Sequence, residues 1–223
     1  LFNHNNYILY THPNLLILPN DILDNYNDEY DSGGAKFKRN QKKCLDFNYN
    51  NIPNDIKLKY IKVFKTLKLD YSLQEKINNF SKNNFDYNTI SIHIRSWSRC
   101  NENDRAKVLF QNGIKKFEDE MKNYRDKWNK DINYYLASDS SEIINYFKNE
   151  SELKDKIIIY DRLSELELSR ENLLGIQEDL IEMYLLSCTK NKKGECTIIG
   201  SKNSTYTEVA WYLSGCTKKI KIL

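Results

Sequence analysis

The chain has 223 residues, of which 40% are hydrophobic and 29% charged, enough apolar mass for one large domain with a buried core. Lys and Arg number 34 against 31 Asp and Glu, a net charge of +3 with the lysines scattered among Asp, Glu and Asn, so nothing calls for a nucleic-acid partner. No apolar run approaches the ~20 residues of a membrane helix, and no signal-peptide pattern is present.

The five cysteines, Cys44, Cys100, Cys188, Cys196 and Cys216, form no C-x-x-C pair. With His4, His12 and His93 as the only histidines, a structural zinc site is not expected. Cys188 and Cys196 flank a short polar excursion and could be bridged, whereas the odd count favours a reducing compartment such as the cytoplasm.

Residues 1–50 are rich in Asn, Tyr and Asp, break at Gly33-Gly34 and show no clear period. Residues 1–54 are therefore read as an irregular segment, a remnant of another domain or a linker, with one strand near 15–18. Order improves after Pro53. Ile56, Tyr60, Val63, Phe64 and Leu67 recur at helical spacing behind an Asn54/Asp55 cap. A second helix is expected from Ser72, with Glu75 completing a capping box and Leu73, Ile77 and Phe80 forming the buried stripe.

From residue 89 strands alternate with helices. Ile90, Ile92 and Ile94 share one face of a strand over 89–95, and Ser91, His93 and Arg95 the other. A helix broken near Gly113 follows over 107–128, then a buried strand over 134–137 ending at Ser138-Asp139-Ser140, a helix over 141–149 and a third strand over 156–160. A strong helix over 171–187, a fourth strand over 197–200, a helix over 205–214 stopped by Gly215 and a final strand over 218–223 complete the chain. This alternation predicts an α/β fold for 55–223, a Rossmann-like parallel sheet flanked by helices. Ligands of such sheets bind beyond the carboxyl ends of the strands, which selects 93–99, 138–140, 161–162 and 200–205.

Several residues at those ends suit an anionic ligand. Arg95 offers a planar fork that matches phosphate oxygens in pairs, although it would equally suit a structural acid, with His93 a satisfied core histidine. Gly200-Ser-Lys-Asn-Ser204-Thr205 joins a strand to a helix, and Ser204 or Thr205, the latter with Glu208 in a capping box, is the expected N-cap. The free N–H groups and dipole of such an end attract phosphate, but caps without ligands are common. Asp179 lies beside the apolar stripe Leu173, Ile176, Leu180, Met183 and Tyr184, with Gly175 one turn earlier leaving space next to the carboxylate. An acid there needs a partner against desolvation: a guanine edge with two adjacent N–H donors, or an Arg or Lys from elsewhere in the fold. Asp139 suits a helix cap or the cleft wall. Glu102 and Asp104, in the polar loop after Arg95, are candidate general bases.

Four segments in one order are more specific than any alone. Ser91-Ile-His-Ile-Arg95 resembles the H-x-R motif of the fucosyltransferase superfamily, which includes α1,6-, nodulation and protein O-fucosyltransferases. Tyr135-Leu-Ala-Ser-Asp139-Ser is similar to that superfamily's strand-ending acidic segment, and Glu171-Asn-Leu-Leu-Gly175-Ile-Gln-Glu-Asp179 to the helix that carries its guanine-reading acid. Ile198-Ile-Gly-Ser-Lys-Asn-Ser204-Thr-Tyr-Thr-Glu-Val-Ala210-Trp resembles its last motif, where a Ser/Thr pair opens a helix under the phosphates.

The resemblance spans roughly 55–223 and implies the nucleotide-sugar-binding domain of a GT-B glycosyltransferase, with residues 1–50 too short for the partner domain that carries most of the acceptor surface. It implies inverting, metal-independent transfer of fucose from GDP-fucose to a glycan or other hydroxyl acceptor, with no cofactor beyond the donor. Arg95 would clamp the β-phosphate and stabilise the departing GDP, His93 would contact the nucleotide, Asp139 would line the donor site, Asp179 would accept from guanine, and Ser204 and Thr205 would hold the pyrophosphate. The base position falls near Asn103, between Glu102 and Asp104. Two departures stand out: Ser98 replaces an acid common three residues after the motif's Arg, and 189–195 looks like an insertion. Two alternatives remain open on the same fold, a non-catalytic nucleotide- or sugar-binding module and a transferase of another GDP-sugar.

Overall fold

A computed structural model describes residues 54–96, 105–127, 131–166, 169, 171–189, 197–201 and 204–223. The strand expected near 15–18 lies outside the described residues, as does Cys196 and with it the expected bridge to Cys188. In chain order the elements are α1 (Asn54–Thr66), α2 (Tyr71–Asn84), β1 (Thr89–Ile94), α3 (Arg105–Lys127), β2 (Asn133–Ser138), α4 (Ser141–Asn145) with a π-turn (Tyr146–Glu150), a 3-10 turn (Lys154–Lys156), β3 (Ile157–Ile158), α5 (Leu173–Cys188), β4 (Thr197–Gly200), α6 (Thr205–Leu213) and β5 (Lys219–Ile222).

The five strands are all parallel, in the order β3-β2-β1-β4-β5. The sheet grows outward through β1, β2 and β3, then returns to the free edge of β1 with β4. The crevice between the ends of β1 and β4 is therefore the topological switch point, where open α/β sheets bind ligands.

Both faces of the sheet are covered. Ile90, Ile92 and Ile94 of β1 meet Phe117 and Met121 of α3 and Ile143 and Phe147 beyond β2. On the opposite face Tyr135 and Ala137 of β2 meet Leu73 and Ile77 of α2, Ile181, Leu185 and Leu186 of α5 and Ala210 of α6. The polar face of β1 is thus as buried as its apolar one, and its polar groups are bonded, as burial in a central strand requires. The Ser91 hydroxyl lies 2.6 Å from both the Leu186 carbonyl and Thr189 Oγ1. Lys218, also buried, donates from Nζ to the same two groups at 3.0 and 2.5 Å. A cation at a helix C-terminus complements the helix dipole, so this knot pins the end of α5 to β1 and β5.

Local chemistry accounts for the places where the elements differ from the sequence expectation. Asp70, not Ser72, caps α2, its Oδ1 accepting from Ser72 N and Oγ at 2.9 and 2.7 Å. β3 is shortened at both ends by the 3-10 turn and the loop that follows it. Gly215 ends α6 at φ +71°, the left-handed geometry expected of a C-terminal stop.

Gly113 does not break its helix: α3 runs unbroken from Arg105 to Lys127, and a Cβ placed at Gly113 would meet nothing within 4 Å. Gly113→Ala should therefore stabilise the fold by about 0.5–1 kcal/mol through the smaller entropy of its unfolded state. Urea denaturation would show a raised midpoint at unchanged slope; a lowered midpoint would mean that position 113 needs a kink.

Candidate nucleotide site at the β1/β4 crevice

The site begins with a missing side chain. A Cβ at Gly200, the last residue of β4, would lie 2.3 Å from Thr207 Cγ2 and 2.7 Å from Thr207 Oγ1. Glycine there lets the first turn of α6 rest on the strand. Thr207 Oγ1 then sits 2.7 Å from Nδ1 of His93 in the neighbouring strand. Ser204 Oγ approaches the same nitrogen at 3.2 Å while accepting the Thr207 N–H at 3.3 Å, so Ser204 is the N-cap of α6. Thr205, the other candidate, is the first residue of the helix rather than its cap, which places Glu208 one position beyond the capping-box site.

His93 is 4% exposed and its ring stacks on Tyr206 at 4.8 Å between centroids. Burial pushes its pKa down to about 4, with Asp139 pulling upward and Arg95 adding to the fall. At neutral pH it is an uncharged imidazole held by two hydroxyls. The two strand ends are stitched by Ser201, whose N–H donates to the His93 carbonyl at 3.0 Å and whose Oγ accepts the Arg95 N–H at 2.8 Å.

Asp139 is not a helix cap. The register pairs Ile94 with Ser138, which brings the turn after β1 alongside Asp139, and Oδ1 accepts the Ser96 N–H at 2.7 Å. The cap position of α4 falls to Ser140, which makes no side-chain capping bond. Asp139 Oδ2 is shielded from solvent, with no hydrogen-bond partner among the described residues, at the wall of the cleft.

The opposite wall is α5, and its buried side differs from the expected stripe. Gly175, Glu178, Ile181, Glu182, Leu185 and Leu186 face inward, whereas Leu173 and Ile176 are exposed. Gly175 leaves no space beside the acid; a Cβ there would lie 2.2 Å from the Ser169 carbonyl oxygen, so the backbone before α5 fills that position. Two inward glutamates are tolerated because Arg162, from the loop after β3, is buried among them. Arg162 Nη1 donates to Asp179 Oδ1 at 2.9 Å and to Glu182 Oε2 at 2.5 Å, and Nη2 donates to the Gly175 carbonyl at 3.2 Å. Asp179 thus has an arginine partner in the protein, and its Oδ2 also accepts from Ser169 Oγ at 3.1 Å. Glu178, opposed by its own burial, is held below its ordinary pKa by the Leu163 and Ser164 N–H groups and the Ser164 hydroxyl. Burial raises Glu182 to about 8, against the pull of Arg162.

These walls border a cleft that opens to solvent. His93, Arg95, Asp139 and Asp179 all line it, joined by Ser169, Glu182 and Tyr206. Ser204 stands behind His93. Tyr206 closes the angle between the walls, donating from its hydroxyl to the Asp179 carbonyl. Glu102 and Asp104 lie outside the described residues, as does the Thr205 side chain. Arg162, Glu178 and Glu182 were not singled out from sequence. Their signal was there: acids at 178, 179 and 182 in an apolar helix require a cation, and 161–162 is a strand-end position.

No protein-family model and no curated protein matches the chain. Among solved structures it is similar to NodZ α1,6-fucosyltransferase co-crystallized with GDP, at 20% identity and a TM-score of 0.45, over 66% of this chain and 43% of that one. Fucosyltransferase NodZ from Bradyrhizobium gives 22% identity, a TM-score of 0.44, and 66% and 44% coverage. POFUT1 in complex with GDP gives 11% identity, a TM-score of 0.46, and 73% and 49% coverage. The chain spans less than half the length of each of these proteins.

The neutral His93 has a measurable consequence. Its folded pKa lies below its unfolded value, so between pH 6.5 and 4 the unfolded chain holds more protons, and stability is lost as pH falls through that window. The full effect is roughly 3 kcal/mol. Glu182, raised to about 8, acts in the other direction, its contribution being lost as pH rises from 4.5 to 8. The difference between wild type and His93→Gln isolates the first effect: urea unfolding at pH 7 and pH 4.5 should show the variant losing less stability on acidification. Equal losses would mean that His93 is charged in the fold.

Proposed function

We propose that the chain forms the donor-nucleotide domain of a glycosyltransferase that binds GDP-fucose and transfers fucose with inversion to a hydroxyl of a glycan acceptor. The observation that carries this reading is the convergence of Arg95, His93, Asp139 and Asp179 on one cleft at the β1/β4 switch point, with the N-terminus of α6 against His93. The cleft is of mixed charge. Arg95, Asp139 and the positive end of the α6 dipole lie on the β1 side, and Asp179 and Glu182 on the α5 side. A nucleoside diphosphate has the complementary polarity when its base presents N–H donors.

In this reading the Arg95 guanidinium binds the β-phosphate and stabilises the charge that grows on it as the sugar–phosphate bond breaks. Ser204, Thr205 and the first-turn N–H groups of α6 hold the pyrophosphate. Neutral His93 contacts the nucleotide without adding charge, and Asp139 lines the donor site. Asp179 accepts from the guanine edge. The acceptor hydroxyl loses its proton to Glu102 or Asp104 in the loop after Arg95. The chemistry needs no metal in this scheme, because Arg95 and the helix end meet the phosphate charge.

Calorimetric titration with GDP and UDP, with and without EDTA, tests the donor site. GDP should bind equally with and without EDTA, UDP should bind far more weakly, and Arg95→Ala should weaken GDP by roughly 10- to 150-fold, the ~1.5–3 kcal/mol of a charged hydrogen bond. An unchanged GDP affinity in Arg95→Ala would contradict the assignment.

A further inference from the structure

Behind the lining of the cleft, one guanidinium serves three carboxylates. Arg162 is 8% exposed and lies 2.9 Å from Asp179, 2.5 Å from Glu182 and 3.8 Å from Glu178. Glu178 and Glu182 are 2% and 5% exposed, but Asp179 is 30% exposed and lines the cleft. Arg162 does not line the cleft, so any effect on a ligand passes through the two acids it holds there, Asp179, which is the more exposed, and Glu182.

We propose that Arg162 is a positioning residue that sets base specificity, by holding the Asp179 carboxylate in the one orientation that accepts two adjacent N–H donors from the cleft. The inference rests on the reading of Asp179 as the base-recognising acid. A carboxylate has about four acceptor positions on its two oxygens. In Asp179, Arg162 Nη1 occupies one on Oδ1 and the Ser169 hydroxyl one on Oδ2. Each oxygen keeps acceptor capacity, which is the pattern needed for guanine N1–H and N2–H together. The guanidinium is itself immobilised, because Nη1 also holds Glu182 and Nη2 reaches the Gly175 carbonyl and the Ser164 hydroxyl. Torsion of Asp179 about its side-chain bonds would break the Arg162 bond, so the carboxylate does not turn to suit a different base edge. A lysine keeps the charge but has a point ammonium in place of the rigid fork, and cannot hold four acceptors in that geometry.

The measurement is the affinity of GDP against that of inosine diphosphate, which keeps ribose and both phosphates but lacks the 2-amino group. Wild type should prefer GDP by roughly tenfold or more, the scale on which a hydrogen bond to a charged group discriminates. Arg162→Lys should bring the ratio to within about threefold, with GDP affinity falling much more than inosine diphosphate affinity. A merely structural role would lower both affinities together and leave the ratio intact, and that result would overturn the inference. Should Arg162→Lys not fold, the double variant Arg162→Gln with Glu182→Gln removes the guanidinium together with the acid it holds most closely and carries the same expectation. A wild type that binds both nucleotides equally would overturn this inference together with the role of Asp179. A wild type that binds neither would overturn the donor-site reading beneath both.

Discussion

The absence of a side chain at residue 200 is the constraint on which the site depends. With Thr207 Cγ2 only 2.3 Å from where a Cβ would stand, α6 can lie close enough to β4 for Thr207 and Ser204 to reach His93 in the adjacent strand. That contact determines where the α6 N-terminus opens, keeps the imidazole neutral in a buried position, and places Tyr206 against its ring. A larger residue would move the helix end, the hydroxyls and the aromatic wall together, because interiors packed to this density do not absorb a methyl without displacement.

The other wall is organised by charge. α5 carries three acids on or beside its buried side, and a single buried arginine gathers them. Removing one partner from such a cluster leaves uncompensated buried charge, which is far more costly than the cluster is stabilising. The gathering has a geometric by-product: the loop after β3 is tied to α5 through the Leu163 and Ser164 N–H groups on Glu178, and the backbone at Ser169 is seated against Gly175. The knot of Ser91, Thr189 and Lys218 anchors the far end of the same helix. Both walls of the cleft are thereby tied to the central strand, which preorganises its lining.

Much of this was legible in the amino-acid order. The alternation of short apolar strands with helices identified the parallel sheet, and the rule that ligands sit at strand carboxyl ends selected His93, Arg95 and Asp139, all of which line one cleft with Asp179. The failures have physical causes. The inward face of α5 was misassigned because Leu173, Leu174, Ile176, Leu180 and Met183 distribute apolar residues around much of the helix, so no stripe stands out, and the true inward face contains two glutamates. Asp139 looked like a cap because capping is a local pattern, whereas its actual partner, the Ser96 N–H, lies 43 residues away across the sheet. Ser204 and Thr205 are adjacent hydroxyls, and only the approach of His93 decides which of them caps. Gly113 was read as a break on propensity, while the length of α3 carries it through.

The most direct test of the central claim is a crystal structure of the chain with GDP bound. The account predicts the pyrophosphate between the Arg95 guanidinium and the first turn of α6, and the guanine edge on the Asp179 carboxylate with the Arg162 bond preserved. A nucleotide bound elsewhere, or one lying in the cleft with its base against α6 and its phosphates toward α5, would contradict it.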